Sequence, residues 1–164
     1  MDATPDPTML EQALGRLNER ASIALETARV EAAAEGQSYV GCHHLLIALA
    51  VDAECVAARV LQKLAVSPKA LRESICFING CDRSSNAGID PAELTLTPRL
   101  QSLFIAAAND ATRRGQSQIW TIHLLVALAK ERVGVSAAVL ERPGLGLEPL
   151  GREILAAIRG GWTE

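Results

Sequence analysis

The sequence predicts an all-α protein made of two tandem four-helix repeats. Three features point there. Aromatic residues make up 3% of the 164-residue chain, while alanine and leucine, which close-packed helices use and strands usually lack, dominate the apolar 49%. Apolar residues recur at spacings of three and four, the period of one helix face. The chain also matches itself when Leu17 is laid on Leu96: without a gap, 19 of the 59 positions from Leu17 to Ile75 are identical to those from Leu96 to Ile154.

Within each copy the elements follow in order. Asn18 and Thr97 are good N-caps for a first helix, and Pro98 follows Thr97 at the first helical position. The apolar stripe Leu17, Ala21, Ala24, Leu25, Ala28, Ala32 has its counterpart in Leu96, Leu100, Leu103, Phe104, Ala107, Ala111. Gly36 and Gly115 end these helices. A short connection leads to a second helix with Cys42 or Thr121 expected at its N-cap. It runs through Leu-Leu-x-Ala-Leu-Ala to about Val51 or Lys130, and being apolar nearly all round it belongs in the centre. A third helix covers about Val56 to Leu64 and Val135 to Arg142. Ser67-Pro68 opens a fourth that ends near Gly80, matched by about Leu147 to Arg159. The resulting division is an extension at 1–16, in which Thr8 to Arg16 forms a short helix or a lead into the first repeat, then repeat one at 17–80. A Ser/Asn/Asp/Gly/Pro-rich linker at 81–95, repeat two at 96–160 and a tail at 161–164 complete it. One such unit has a thin core, so two are expected to pack face to face and share one.

Composition excludes several function classes. A net charge of −3 with no long basic run argues against nucleic acid and anionic membrane surfaces as partners. No apolar run reaches the ~18 residues of a membrane helix, and no charged-then-apolar leader opens the sequence, so a cytoplasmic protein is expected. The four cysteines, Cys42, Cys55, Cys76 and Cys81, read as reduced thiols, mostly buried as small hydrophobes, ahead of the alternative of a Cys76–Cys81 redox pair, which no basic residue flanks before Arg83. No Gly-x-x-x-x-Gly-Lys-[Ser/Thr] loop is present to cradle ATP phosphates.

The second-helix motif occurs twice. It reads Gly41-Cys42-His43-His44-Leu45-Leu46-Ile47-Ala48-Leu49 followed by Val56 to Leu61, then Trp120-Thr121-Ile122-His123-Leu124-Leu125-Val126-Ala127-Leu128 followed by Val135 to Leu140. This pattern resembles the Clp N-terminal domain, the double-repeat module at the front of ClpA, ClpB and ClpC type AAA+ unfoldases, over about residues 15–160. The resemblance implies an all-α domain with pseudo-twofold symmetry that is not an enzyme and needs no cofactor. It further implies a module that docks adaptors and captures substrates, either free-standing or cut from a longer unfoldase. In some ClpC-type members a Glu before the repeated His grips the guanidinium of phosphoarginine. Here that position is His43 in one copy and Ile122 in the other, which argues against that ligand.

The candidate partner-binding residues are Tyr39, His43, Trp120 and Ile122. Tyr39 and Trp120 lie in connecting turns off the apolar stripes, where they either plug the gap between repeats or anchor a peptide. Backbone N–H groups at the starts of the two second helices favour an anion such as a terminal carboxylate. His44 and His123, repeated inside apolar segments, read as packed rings bonded to nearby backbone. Against this stands the alternative of a thiol- or histidine-based enzyme at Cys42 and His43-His44, or a zinc site joining those residues to Cys76 or Cys81. No carboxylate near the pair in sequence precedes Asp52 to orient a base, and Cys76 and Cys81 have four residues between them instead of two. The second copy is also the more basic, with eight Lys/Arg and five Asp/Glu over 96–160 against six and seven over 17–80, an asymmetry read as solvated faces before an orienting field. The expected partners are Clp-type unfoldase or protease subunits, adaptors or substrate proteins. A sink for a small molecule or peptide is the remaining option.

Overall fold

Asn18 and Thr97 accept hydrogen bonds from the N–H groups of Ala21 and Leu100 and so start the two longest helices, α2 (Glu19–Ala34) and α6 (Pro98–Arg113). The structure, a computed structural model, describes residues 4–80, 88–142, 145–161 and 163–164. Both helices bury the alanine-rich stripe read from the sequence, and both stop at a glycine with φ of 72° (Gly36 and Gly115), a left-handed conformation that a side chain would strain. The extension forms a short helix, α1 (Pro7–Leu14), which lies against α6.

The central pair is α3 (Cys42–Val51) and α7 (Thr121–Lys130). Every residue of α3 from Cys42 to Ala50 is buried. Leu45, Leu46, Leu49, Leu124, Leu125 and Leu128 are fully enclosed, each contributing on the order of 1.5–3 kcal/mol. Cys42 and Thr121 were expected as N-caps; they are instead the first helical residues, and the cap positions belong to Gly41 and Trp120. At each cap the backbone N–H donates to the ring of a histidine three residues on, which fixes the helix start one residue earlier.

The remaining helices are α4 (Val56–Lys63), α5 (Pro68–Asn79), α8 (Val135–Leu140) and α9 (Leu147–Arg159). Their packing exchanges partners between the copies: α4 lies on α9, and α8 lies on α5. The third helix of each repeat is therefore clasped by the fourth helix of the other. Among the described residues one hydrophobic cluster runs from Ala13 to Ala157 through both repeats.

The connections reinforce this clasp in a way the sequence reading did not anticipate. Part of the expected linker is ordered: Pro91–Glu93 makes a 3₁₀ turn, and β2 (Thr95–Leu96) pairs in parallel with β1 (Tyr39–Val40). Leu17 bridges Ile119 in the same sense. The repeat register places Val40 on Ile119 and Leu17 on Leu96, so each copy's turn pairs with the residue that precedes the other copy's first helix. Matching hydrogen bonds run from Thr97 N–H to the Val40 carbonyl (3.0 Å) and from Asn18 N–H to the Ile119 carbonyl (2.9 Å). Residues 81–87 of the expected linker lie outside the described residues.

Candidate functional site

The site is built on the starts of α3 and α7. The Gly41 N–H donates to His44 Nδ1 at 2.9 Å, and the Trp120 N–H donates to His123 Nδ1 at 2.8 Å. A backbone N–H can only donate, so each Nδ1 is an acceptor and each ring carries its proton on Nε2. In the first copy that Nε2–H donates to Glu35 at 3.0 Å. In the second copy Arg114 holds the position equivalent to Glu35 and is bonded to Asp110 at 2.8 Å. The two copies thus share a scaffold and invert the charge beside it.

His43 lies against His44 with ring centroids 3.9 Å apart and its Nε2 3.9 Å from Glu35. Burial pushes His43 down to about 4, the neighbouring His44 adds to the shift, and Glu35 opposes it. Burial also lowers His123, with Asp110 opposing and Arg114 adding. Burial lifts the Cys42 thiol to about 12, with Glu131 adding to the shift, and raises Cys55 as well.

Glu35, His43 and His44 are the one group of three metal-capable side chains among the described residues, their ligand atoms lying within 4.8 Å of one another. Neither Cys42 nor Cys76 of the zinc grouping weighed from the sequence belongs to this group. While the Gly41 bond stands, His44 Nε2 keeps its proton and cannot ligate. Two ligands remain, against the three or four protein ligands a zinc site uses. Cys42 and Cys55 are free and buried, but Cys76 is disulfide-bonded, contrary to the reading of reduced thiols. It sits half-buried near the end of α5, off the face that encloses Leu71 and Ile75, which leaves its sulfur open to pairing. Cys81 lies outside the described residues.

The four residues singled out from sequence fall into two pairs. Tyr39 and His43 line a cavity of about 470 Å³ with Glu35, Glu31, Arg72 and Val135. Arg72 closes one wall by donating from Nε to Glu31 at 3.0 Å. Trp120 and Ile122 line a second cavity of about 290 Å³ with Val56, His123, Ile158 and Thr163. Tyr39 and Trp120 are not equivalent positions, yet each places its ring 6.4 Å from the repeated histidine of its own copy, tilted by 56° and 51°. Tyr39 is 40% exposed, enough to meet a partner.

The start of α7 holds a carboxylate, and it is the chain's own. The Glu164 side chain accepts from the N–H and hydroxyl of Thr121, from the Val56 N–H at 3.1 Å and from Asn18 Nδ2 at 2.8 Å. Sequence reading pointed to an anion at this helix start but had no signal for Glu164. It also missed Glu35, whose only trace is its place nine residues before His44, one position before the glycine that ends α2.

The sequence profile of the Clp repeat (R) N-terminal domain matches residues 16–143 and 95–161. The chain belongs to the Clp N-terminal domain family. It is 29% identical over 141 residues to the chaperone protein ClpB of Oceanobacillus iheyensis. It is also 29% identical over 141 residues to the negative regulator of genetic competence ClpC/MecB of Bacillus subtilis. Each match covers 86% of this chain and 17% of the relative. The chain therefore spans about a sixth of the length of these curated relatives. The crystal structure of the N-terminal domain of the caseinolytic protease associated chaperone ClpD from Arabidopsis thaliana superimposes with a TM-score of 0.75 at 22% identity. That match covers 90% of this chain and 97% of the other. As a Clp N-domain the chain is all-α, and among its described residues no helix is long and apolar enough to cross a membrane.

Proposed function

We propose that this Clp N-domain is a non-catalytic protein- or peptide-binding module that serves a Clp-type ATP-dependent unfoldase or protease system in the cytoplasm. It docks adaptors, substrates or the machine itself through the hollows beside Tyr39 and His43 and beside Trp120 and Ile122. Repeats at 17–80 and 96–160, with the extension at 1–16, linker at 81–95 and tail at 161–164, are the working units of this reading.

The observation that carries it is the pair of aromatic-flanked cavities at equivalent helix starts in a member of this family. Aromatic side chains beside a hollow are the usual anchors of a protein interface. The thiol or histidine enzyme finds little support beside it. Cys42 is buried with its pKa raised to about 12, far from the thiolate a nucleophile requires, and the His44 nitrogens are both engaged in structural hydrogen bonds. The test is affinity capture from lysate with mass spectrometry, using the intact chain and a Tyr39→Ala/Trp120→Ala variant. Clp subunits or their clients enriched by the first and lost by the second support the reading. Equal enrichment by both, or enrichment of no Clp component, refutes it.

A further inference from the structure

The ends of α6 and α7 meet around a hollow of about 440 Å³ that shares no lining residue with either aromatic-flanked cavity. Small neutral side chains line most of it, among them Ala106, Asn109 and Ala127. Asp110 stands in its wall with a side chain only 9% exposed. A buried carboxylate needs a cation, and Arg114 supplies one by donating from Nε at 2.8 Å. Arg113 and Lys130 exceed that need. Their nitrogens lie 3.8 and 4.0 Å from Asp110 Oδ1, too far for a hydrogen bond, and their side chains are 68% and 63% exposed. At the same helix end Arg16 donates to the carbonyls of Ala108, Gln116 and Ser117 and to the Thr112 hydroxyl, and to no carboxylate. Among the described residues Asp110 is the one acid that any of these four cations reaches.

Four positive side chains thus stand against one negative, in a chain whose net charge is −3. Arg113 and Lys130 close their helices, whose C-terminal dipoles offset about half a charge each, so a surplus of about two charges remains. The surplus belongs to this copy alone. In the other copy the positions of Arg16, Asp110, Arg113, Arg114 and Lys130 are held by Thr95, Glu31, Ala34, Glu35 and Val51, with no cation among them. There Arg72 reaches across from α5 to Glu31, and the residue in register with Arg72 is Gly151. One half of a duplicated scaffold therefore carries exposed cations that its own fold leaves unneutralised.

We propose that this α6–α7 face is a docking surface for an acidic segment of a partner protein, whose carboxylates meet Arg113 and Lys130 at the rim of the hollow. Both nitrogens approach the same oxygen of Asp110, so they suit two carboxylates one helical turn apart, about 5–6 Å between Cβ atoms. A nucleic-acid backbone fits this face less well. It calls for a stripe of cations, whereas these are gathered around a carboxylate that repels phosphate. The inference goes beyond the peptide-binding reading above and does not depend on the hollows of Tyr39 and Trp120.

The test titrates the full ¹⁵N-labelled chain with a capped, alanine-based peptide of about 15 residues that carries glutamates in i, i+4 pairs. Amide shifts at residues 106–113 and 126–130 are expected, with affinity falling several-fold between about 10 mM and about 150 mM salt. Arg113→Gln/Lys130→Gln lowers the affinity about ten-fold. Lys69→Gln/Arg152→Gln removes the same charge from exposed positions on α5 and α9 and binds as the wild type does. A glutamine twin of the peptide produces no shifts. Tyr39→Ala/Trp120→Ala leaves the shifts in place, so loss of Clp capture and failure of this face are told apart. No shifts, shifts confined to other residues, equal affinity of the two charge variants, or binding of the glutamine twin overturns the proposal. Tighter binding of a single-stranded oligonucleotide of equal charge at this face overturns it as well.

Discussion

Lowering the pH from 7 to 5 is expected to weaken the fold by about 2 kcal/mol through His43 alone. His43 is 8% exposed, and burial holds it near 4 against about 6.5 in an unfolded chain. At pH 5 the unfolded chain therefore carries a proton on His43 that the native chain lacks. Stability rises with pH wherever the unfolded state binds more protons, so the contribution is complete above about 6.5 and is lost as pH falls toward 4. Glu35 and His44 face the ring from the end of α2 and from its own helix, with Glu35 favouring and His44 disfavouring the charged form. His123, also lowered by burial, adds to the loss in the same direction. The assay is urea unfolding followed by circular dichroism at half-unit steps from pH 7 to pH 4.5, comparing wild type with His43→Gln. The wild-type midpoint should fall steadily, and the variant should show a shallower pH dependence whatever its stability at pH 7. A midpoint that is flat from 7 to 5, or identical slopes in the two proteins, would refute the assignment of a buried neutral imidazole.

Two further outcomes follow from the packing. Leu45→Ala and Leu124→Ala, at fully enclosed equivalent positions in the two copies, should each cost roughly 2–5 kcal/mol in urea unfolding and lower one cooperative transition without splitting it, because the core is shared. A variant that unfolds in two separate steps would contradict the shared core. Alkylation of Cys42 at pH 8, followed by mass spectrometry, should be on the order of 10³-fold slower in the native chain than in urea, given a thiol lifted to about 12. Comparable rates would show that Cys42 is neither buried nor shifted.

The repeat made the helices legible because its constraints are local. Cap residues such as Asn18, Ser67 and Thr97 satisfy the first N–H groups of their own helices, and the stripes of α2 and α6 repeat at three and four positions. What sequence did not disclose depends on pairs far apart in the chain. The bridges of Val40 to Leu96 and Leu17 to Ile119 join residues with no strand-like pattern. Nothing about a lone glutamate at position 164 signals that it will cap a helix 43 positions earlier. The cap of the central helices was misplaced by one residue for a related reason. Glycine has no side chain and tryptophan no acceptor with which to cap a helix, and the group that satisfies their N–H is a histidine that reads as core.

The two copies differ where function would need them to differ, and packing explains why. Because each third helix is held by the other copy's fourth helix, a change at Val56, Val60 or Leu61 must suit neighbours from both repeats, and the same holds at Val135, Val139 and Leu140. Those positions are identical between the copies. The helix starts face hollows, although Thr121 also holds the other copy's Ala57 N–H at 3.2 Å. There the copies pair Glu35 with Arg114, Cys42 with Thr121, and His43 with Ile122. One duplicated scaffold thus carries two chemically distinct mouths, one with Glu35 and a close, tilted pair of histidine rings, the other with Trp120 and Ile122 beside Arg114. A symmetric ligand that engages both mouths alike is not what this surface fits.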